Sequence, residues 1–186
     1  MNFRPLVDDI LLLWAIVKFV RRIYARRSTD FPADRRSSGP IFILFLMCFA
    51  VSTIVLSAGI GKWTLAAWIS WLGVTLLVFG FIFRQYAITV LGRFFSPVIR
   101  IEQDHRLVES GPYRYLRHPT YTGMLLGFYG AGLALGNWII LLTFIILPTL
   151  AILRRIKVEE EMLEEHFGKE YRDYKSRTKK LIPFVF

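Results

Sequence analysis

Apolar and polar positions divide the chain into five apolar runs separated by charged stretches. The first covers residues 6–24 and is densest at "ILLLWAIV". It carries Lys18, whose stem can lie along apolar surface while its head reaches water. This run therefore either spans a bilayer or lies on it as an amphipathic anchor. The second, residues 41–60, is "IFILFLMCFAVSTIVLSAGI". As a helix rising about 1.5 Å per residue it matches the roughly 30 Å hydrocarbon core of a bilayer. The third, residues 63–83, places Trp63, Trp68 and Trp71 toward one end, as an interfacial belt would. The fourth and fifth, residues 121–136 and 138–153, are separated only by Asn137 and predict a tight helical hairpin. Pro148 is expected to kink its second arm. The predicted fold is all-α: a polytopic membrane protein of about five spans, with a polar link (84–120) and a charged tail (154–186). It divides into N-terminal spans (1–83) and a C-terminal module (84–186).

Composition agrees with that pattern. The 186 residues are 54% hydrophobic and 16% aromatic, too apolar for an ordinary soluble domain. The net charge of +10 fits either nucleic acid or an anionic membrane surface, and the apolar runs favour the membrane. Residues 21–40, 84–118 and 154–180 hold six, six and nine of the 24 basic residues; the others are Arg4, Lys18 and Lys62. With five spans, all three basic regions fall on one side. The excess of Lys and Arg makes that side cytoplasmic, with the N-terminus outside and the C-terminus inside. A four-span reading would place the N-terminus inside. The start "MNFRPLVDDILLLWAIVKFV" has acidic residues ahead of its apolar core and no small-residue cleavage site, so no cleavable signal is expected. The basic residues follow topology rather than one aromatic-studded groove, which argues against nucleic-acid binding.

The link and the tail emerge on the same face and can build one site. In the tail, a helix is expected to continue out of the fifth run to Phe167 and stop at Gly168. Arg155 and Glu159 are four apart and share a face of that helix, where a solvated salt-bridge ladder is the plainest reading. Ile156, Met162, Leu163 and Phe167 mark a buried stripe. In the link, Gly111-Pro112 signals a turn and Pro119 suits the first turn of a helix. A helix starting near His118 would present free N–H groups to an anion at the mouth. His105 and His118 are candidate hydrogen-bond partners for a polar ligand. Three His and one Cys (Cys48) at no metal-ligand spacing predict no metal, and one cysteine forms no intrachain disulfide. There is no GxSxG elbow, Walker loop or strand-then-GxGxxG unit.

"DHRLVESGPYRYLRHPTYTG", then "LGNW", then "RRIKVEEEMLEEHFGKEYRDYKSRTKKLIPF" together resemble the isoprenylcysteine carboxyl methyltransferases, small integral-membrane enzymes, in their prokaryotic form. The likeness is strongest over residues 84–186. It implies methyl transfer from S-adenosyl-L-methionine to the terminal carboxylate of a prenylated cysteine that enters from the bilayer. The cofactor pocket would lie on the cytosolic side. By motif, the resemblance implies that His105, Arg106, Leu107, Val108, Tyr113, His118, Pro119, Thr120 and Tyr121 bind the cofactor. Arg155 would handle the substrate and Glu159 would contact the cofactor, both at the catalytic centre. A carboxylate acceptor has a pKa near 3.3–3.7 and needs no general base, which suits a site of positioning groups. Three alternatives stand beside it: a methyltransferase acting on a phospholipid amine or small thiol, an NADPH-dependent membrane reductase, and a non-catalytic membrane scaffold.

Overall fold

The computed structural model describes residues 38–63, 67–96 and 106–182, with backbone only for 38–45. The first apolar run and His105 lie outside these residues. The described residues are helical and contain no strand. In chain order they form α1 (Ser38–Ala58), α2 (Ala67–Leu91), α3 (Pro119–Ala134), α4 (Trp138–Phe167) and α5 (Lys169–Arg177), with 3-10 turns at Gly92–Phe94 and Gly111–Arg114.

The hairpin of α3 and α4 forms as expected, with Asn137 as its hinge. This residue is fully buried. Its side-chain oxygen accepts from the amides of Ile139 (3.0 Å) and Ile140 (3.3 Å), capping α4, and its amide nitrogen donates to the Ile60 carbonyl at 2.7 Å. The backbone adds Trp63 N to Gly136 O and Trp138 N to Gly61 O, so "GIGKW" is tied to "LGNW". A Cβ on Gly61 would come within 2.8 Å of the Asn137 oxygen, and the backbone there has φ +70°, so glycine is required.

One expectation about a helix end changes. The third apolar run was expected to stop at Phe83, but α2 runs on to Leu91. Arg84 therefore lies inside a helix rather than in the link. Its charge does not end the helix because its guanidinium is buried and donates to the Thr120 carbonyl at 2.8 Å. Pro148 lies inside α4, which runs as one helix from Trp138 to Phe167. Phe167 ends α4 and Gly168 follows with φ +54°, as expected.

α2 packs most extensively on α3. Glycines make the seam: Gly73 and Gly80 on α2 face Gly130 and Gly123 on α3. A Cβ on Gly80 would sit 2.6 Å from Gly123 O, and one on Gly123 would sit 2.7 Å from Gly80 O. Small residues at this spacing let helix backbones touch, which is how helices associate where lipid removes the hydrophobic drive. The outward faces are apolar, with Trp68, Phe79, Ile82, Leu142, Ile146 and Leu150 exposed. Ala67–Phe94 and Trp138–Phe167 are long and apolar enough to cross a bilayer; α3, at 16 residues, is shorter.

Gly130→Val should destabilise the protein by at least about 2 kcal/mol, because its methyls meet backbone rather than a movable side chain. Gly92→Asn should be close to neutral: nothing lies within 4 Å of that Cβ, and Asn tolerates the φ of +57°. Thermal midpoints of both variants in detergent check this.

Candidate active site

Pro119 opens α3, and the preceding His118 is buried with its ring turned toward α4. The amides of Tyr121 and Thr122 both donate to His118 O, at 3.0 and 3.1 Å, and Pro119 has no N–H. The expected anion seat of free amides is therefore largely used up. Two carboxylates from α4 face this helix end instead.

Arg155 and Glu159 do share a face of α4, but they meet through a third residue. Arg155 Nε donates to the Tyr121 hydroxyl at 2.7 Å, and that hydroxyl donates to Glu159 Oε2 at 2.7 Å. One oxygen accepts from the cation and donates to the anion, so cation and anion are fixed on either side of a neutral phenol. Arg155 and Tyr121 are buried while Glu159 keeps 29% of its side chain exposed. This is not a solvated ladder. It is a built arrangement with one accessible carboxylate.

Glu160 is the residue that sequence reasoning missed. Its Oε1 accepts from Arg117 Nε at 2.9 Å and lies 3.3 Å from His118 Nε2; its Oε2 is 3.6 Å from Lys180 Nζ. Three cationic or protonatable groups converge on one buried carboxylate, which makes that burial tolerable. A signal existed: Glu160 is four residues from Ile156, the fully buried head of the expected stripe. The later members of that stripe, Met162, Leu163 and Phe167, are only half-buried.

The tail closes over this cluster. Leu116 and Lys179 pair in a short parallel bridge, with Arg117 N donating to Lys179 O (2.8 Å), His118 N to Lys180 O (3.2 Å) and Lys179 N to Tyr115 O (3.0 Å). Thr122 Oγ1 donates to Leu181 O at 2.7 Å. Arg117 also donates to the carbonyls of Lys175 and Thr178, and Tyr174 donates its hydroxyl to Tyr113 O (2.8 Å) and Leu116 O (3.3 Å). Arg177 pairs with Glu109 across the same seam.

Tyr113 and Tyr171 are buried, and each hydroxyl lacks a hydrogen-bond partner among the described residues. Burial pushes both phenols above their ordinary range; the nearby carboxylates, Glu159 for Tyr113 and Glu160 for Tyr171, add to that. Both remain donors at neutral pH. An unpartnered donor at Tyr113, near the partly exposed carboxylate of Glu159, fits a polar ligand with acceptor groups and a cationic group, as S-adenosylmethionine has. Pro119 and Thr120 are buried in the first turn of α3, where Thr120 contributes its carbonyl to Arg84. Arg106 is exposed, and Leu107 and Val108 are half-buried, outside the hydrogen-bonded cluster.

The profile of the phospholipid methyltransferase family matches residues 68–170. Protein-S-isoprenylcysteine O-methyltransferase B of Arabidopsis thaliana is 38% identical over 120 residues, which is 63% of this chain and 61% of that protein. The protein-S-isoprenylcysteine O-methyltransferase of Saccharomyces cerevisiae is 37% identical over 116 residues, covering 61% and 48% of the two chains. The matched stretch thus spans roughly half to three fifths of these relatives. The solved structure of the eukaryotic intramembrane Ras methyltransferase ICMT shares the fold, with a TM-score of 0.68 at 22% identity over 96% of this chain and 65% of that one.

Tyr174→Phe would leave the Tyr113 and Leu116 carbonyls without their donor. The expected cost is about 1–3 kcal/mol. Hydrogen exchange should rise at the amides of residues 113–118 while those of α2 keep their protection.

Proposed function

The chain belongs to the phospholipid methyltransferase family, and from that premise we propose that it methylates a lipophilic acceptor in the bilayer, using S-adenosyl-L-methionine. The acceptor is the α-carboxylate of an isoprenylcysteine, as the names of the Arabidopsis and yeast relatives suggest. The observation that carries this reading is the Arg155–Tyr121–Glu159 chain, which holds a cation and an anion apart where an apolar helix becomes polar. When bound, S-adenosylmethionine supplies an electrophilic methyl group on a sulfonium.

A terminal carboxylate is already anionic at neutral pH, so the protein needs to orient it rather than deprotonate it. Arg155 does this. Its planar guanidinium carries five donors, and Nε is committed to Tyr121, which fixes the plane for a charge-assisted contact. Glu159 takes the cofactor's amino group. Tyr113, His118 and the 105–108 segment hold its remaining polar parts, with Pro119 and Thr120 shaping the wall. The tail strap excludes water from the same side.

The exposed apolar faces of α2 and α4 meet lipid, and the basic link and tail lie at the cytoplasmic surface. The five-span layout, with residues 6–24 as the first span and the N-terminus outside, completes this reading. A phospholipid amine acceptor is the second reading, favoured by the family's own description.

Arg155→Ala should keep S-adenosylhomocysteine binding by calorimetry and lose turnover of a farnesylcysteine analogue by about 100-fold or more. Glu159→Ala should abolish the binding itself. A folded wild type that fails to bind S-adenosylhomocysteine overturns the reading. Methylation of phosphatidylethanolamine but not of farnesylcysteine replaces the acceptor.

A further inference from the structure

Where the tail meets the link, two exposed cations are brought together by main-chain pairing. Lys179 N donates to the Tyr115 carbonyl at 3.0 Å, which sets Lys179 beside Tyr115 and next to Arg114. The side chains of Arg114, Tyr115 and Lys179 are all exposed. We propose that Arg114 and Lys179, with Tyr115 beside them, bind the phosphate of an anionic lipid in the cytoplasmic leaflet, and that this lipid clamps the tail strap to the link. Of the proposed function it uses the reading that link and tail lie at a membrane surface, and not the reaction.

The strap runs from polar to apolar alongside the start of α3. His118 N donates to Lys180 O, and Thr122 Oγ1, in the first turn of α3, donates to Leu181 O. The next residue, Ile182, is 53% exposed. A large exposed apolar side chain beside the first turn of an apolar helix suits hydrocarbon, so Lys179, earlier in the strap, lies toward water. Two tyrosines mark the same level. Tyr115 is 55% exposed and Tyr86, on α2, is 52% exposed. The Tyr86 hydroxyl would stand 3.3 Å from a Cβ on Gly111, the first residue of the turn that carries Arg114. Exposed tyrosines at a helix end mark the belt where headgroups lie, and cations at that level meet phosphates.

Other cations of the tail are already committed to carboxylates: Arg177 to Glu109, Lys175 to Glu164 and Lys180 to Glu160. Among the described residues, Arg114 and Lys179 have no such partner. A guanidinium offers a planar fork to two phosphate oxygens, and an ammonium adds a compact charge. A lipid with a net negative charge is favoured over a zwitterionic one, whose own ammonium opposes both cations. Arg114 belongs to the link and Lys179 to the strap, so one phosphate held by both joins the two segments.

The experiment follows hydrogen exchange of the full-length protein in two kinds of nanodisc at the same salt concentration. One is phosphatidylcholine alone and the other is equal parts phosphatidylcholine and phosphatidylglycerol. Exchange at the paired amides of Arg117, His118 and Lys179 should be about threefold slower or more in the anionic discs. Arg114→Gln combined with Lys179→Gln should remove that difference and leave exchange in neutral discs as in wild type. Arg172→Gln combined with Lys175→Gln, which changes the charge of the tail equally, should keep the difference. Equal exchange of wild type in both discs overturns the proposal. A difference that survives the first pair of substitutions, or that the second pair removes as fully, means diffuse attraction and also overturns it. Inorganic phosphate that reproduces the protection in neutral discs assigns the site to a free anion and overturns the lipid. Should the first pair fail to fold, Arg114→Gln alone should lose part of the difference, and a full difference there overturns the proposal. No readout involves methyl transfer, so failure of this inference and failure of the proposed reaction are seen separately.

Discussion

Direct backbone contact between α2 and α3 is the constraint on which the described structure depends. Gly73, Gly80, Gly123 and Gly130 leave no side chain between the helices at four points. In lipid there is little hydrophobic gain from pairing two apolar helices, so close van der Waals contact must do the work. One turn beyond Gly80, the same approach brings Arg84 to the Thr120 carbonyl. The Thr120 carbonyl, in the first turn of α3, accepts from this buried arginine and helps make its burial tolerable. The seam thus sets both the packing of the helices and the position of the α3 N-terminus.

The two ends of the α3–α4 hairpin solve different problems with the same tool, a buried polar side chain. At one end Asn137 caps α4 and ties down Ile60, satisfying three backbone groups with one amide. At the other, Glu160 gathers Arg117, His118 and Lys180. The first is neutral and closes a turn. The second is charged and organises a site, which is consistent with the polar link and tail meeting there. Arg155 and Glu159 sit beside the second cluster rather than in it. Tyr121 separates them, so each keeps its own charge and direction.

Much of this was legible in the sequence because it depends on neighbours along the chain. The helix over residues 138–167, its stop at Gly168, the hinge at Asn137 and the turn at Gly111-Pro112 follow from apolar period, caps and turn residues. The i, i+4 spacing placed Arg155 and Glu159 on one face. The motif resemblance pointed to Tyr113, His118 and Tyr121, three residues the fold buries together with Arg155.

What only the tertiary structure decided are partnerships across 34 to 61 positions: Tyr121 between Arg155 and Glu159, Glu160 with Arg117, and Tyr174 with Tyr113. Spacing along a helix says which residues share a face, not which other segment covers that face. Arg84 looked like the start of a polar link because its charge is visible in the sequence, whereas the Thr120 carbonyl that permits its burial is supplied by another helix. Local pattern determined the elements; the depth at which a charge can be buried was decided by partners that only folding brings within hydrogen-bond range.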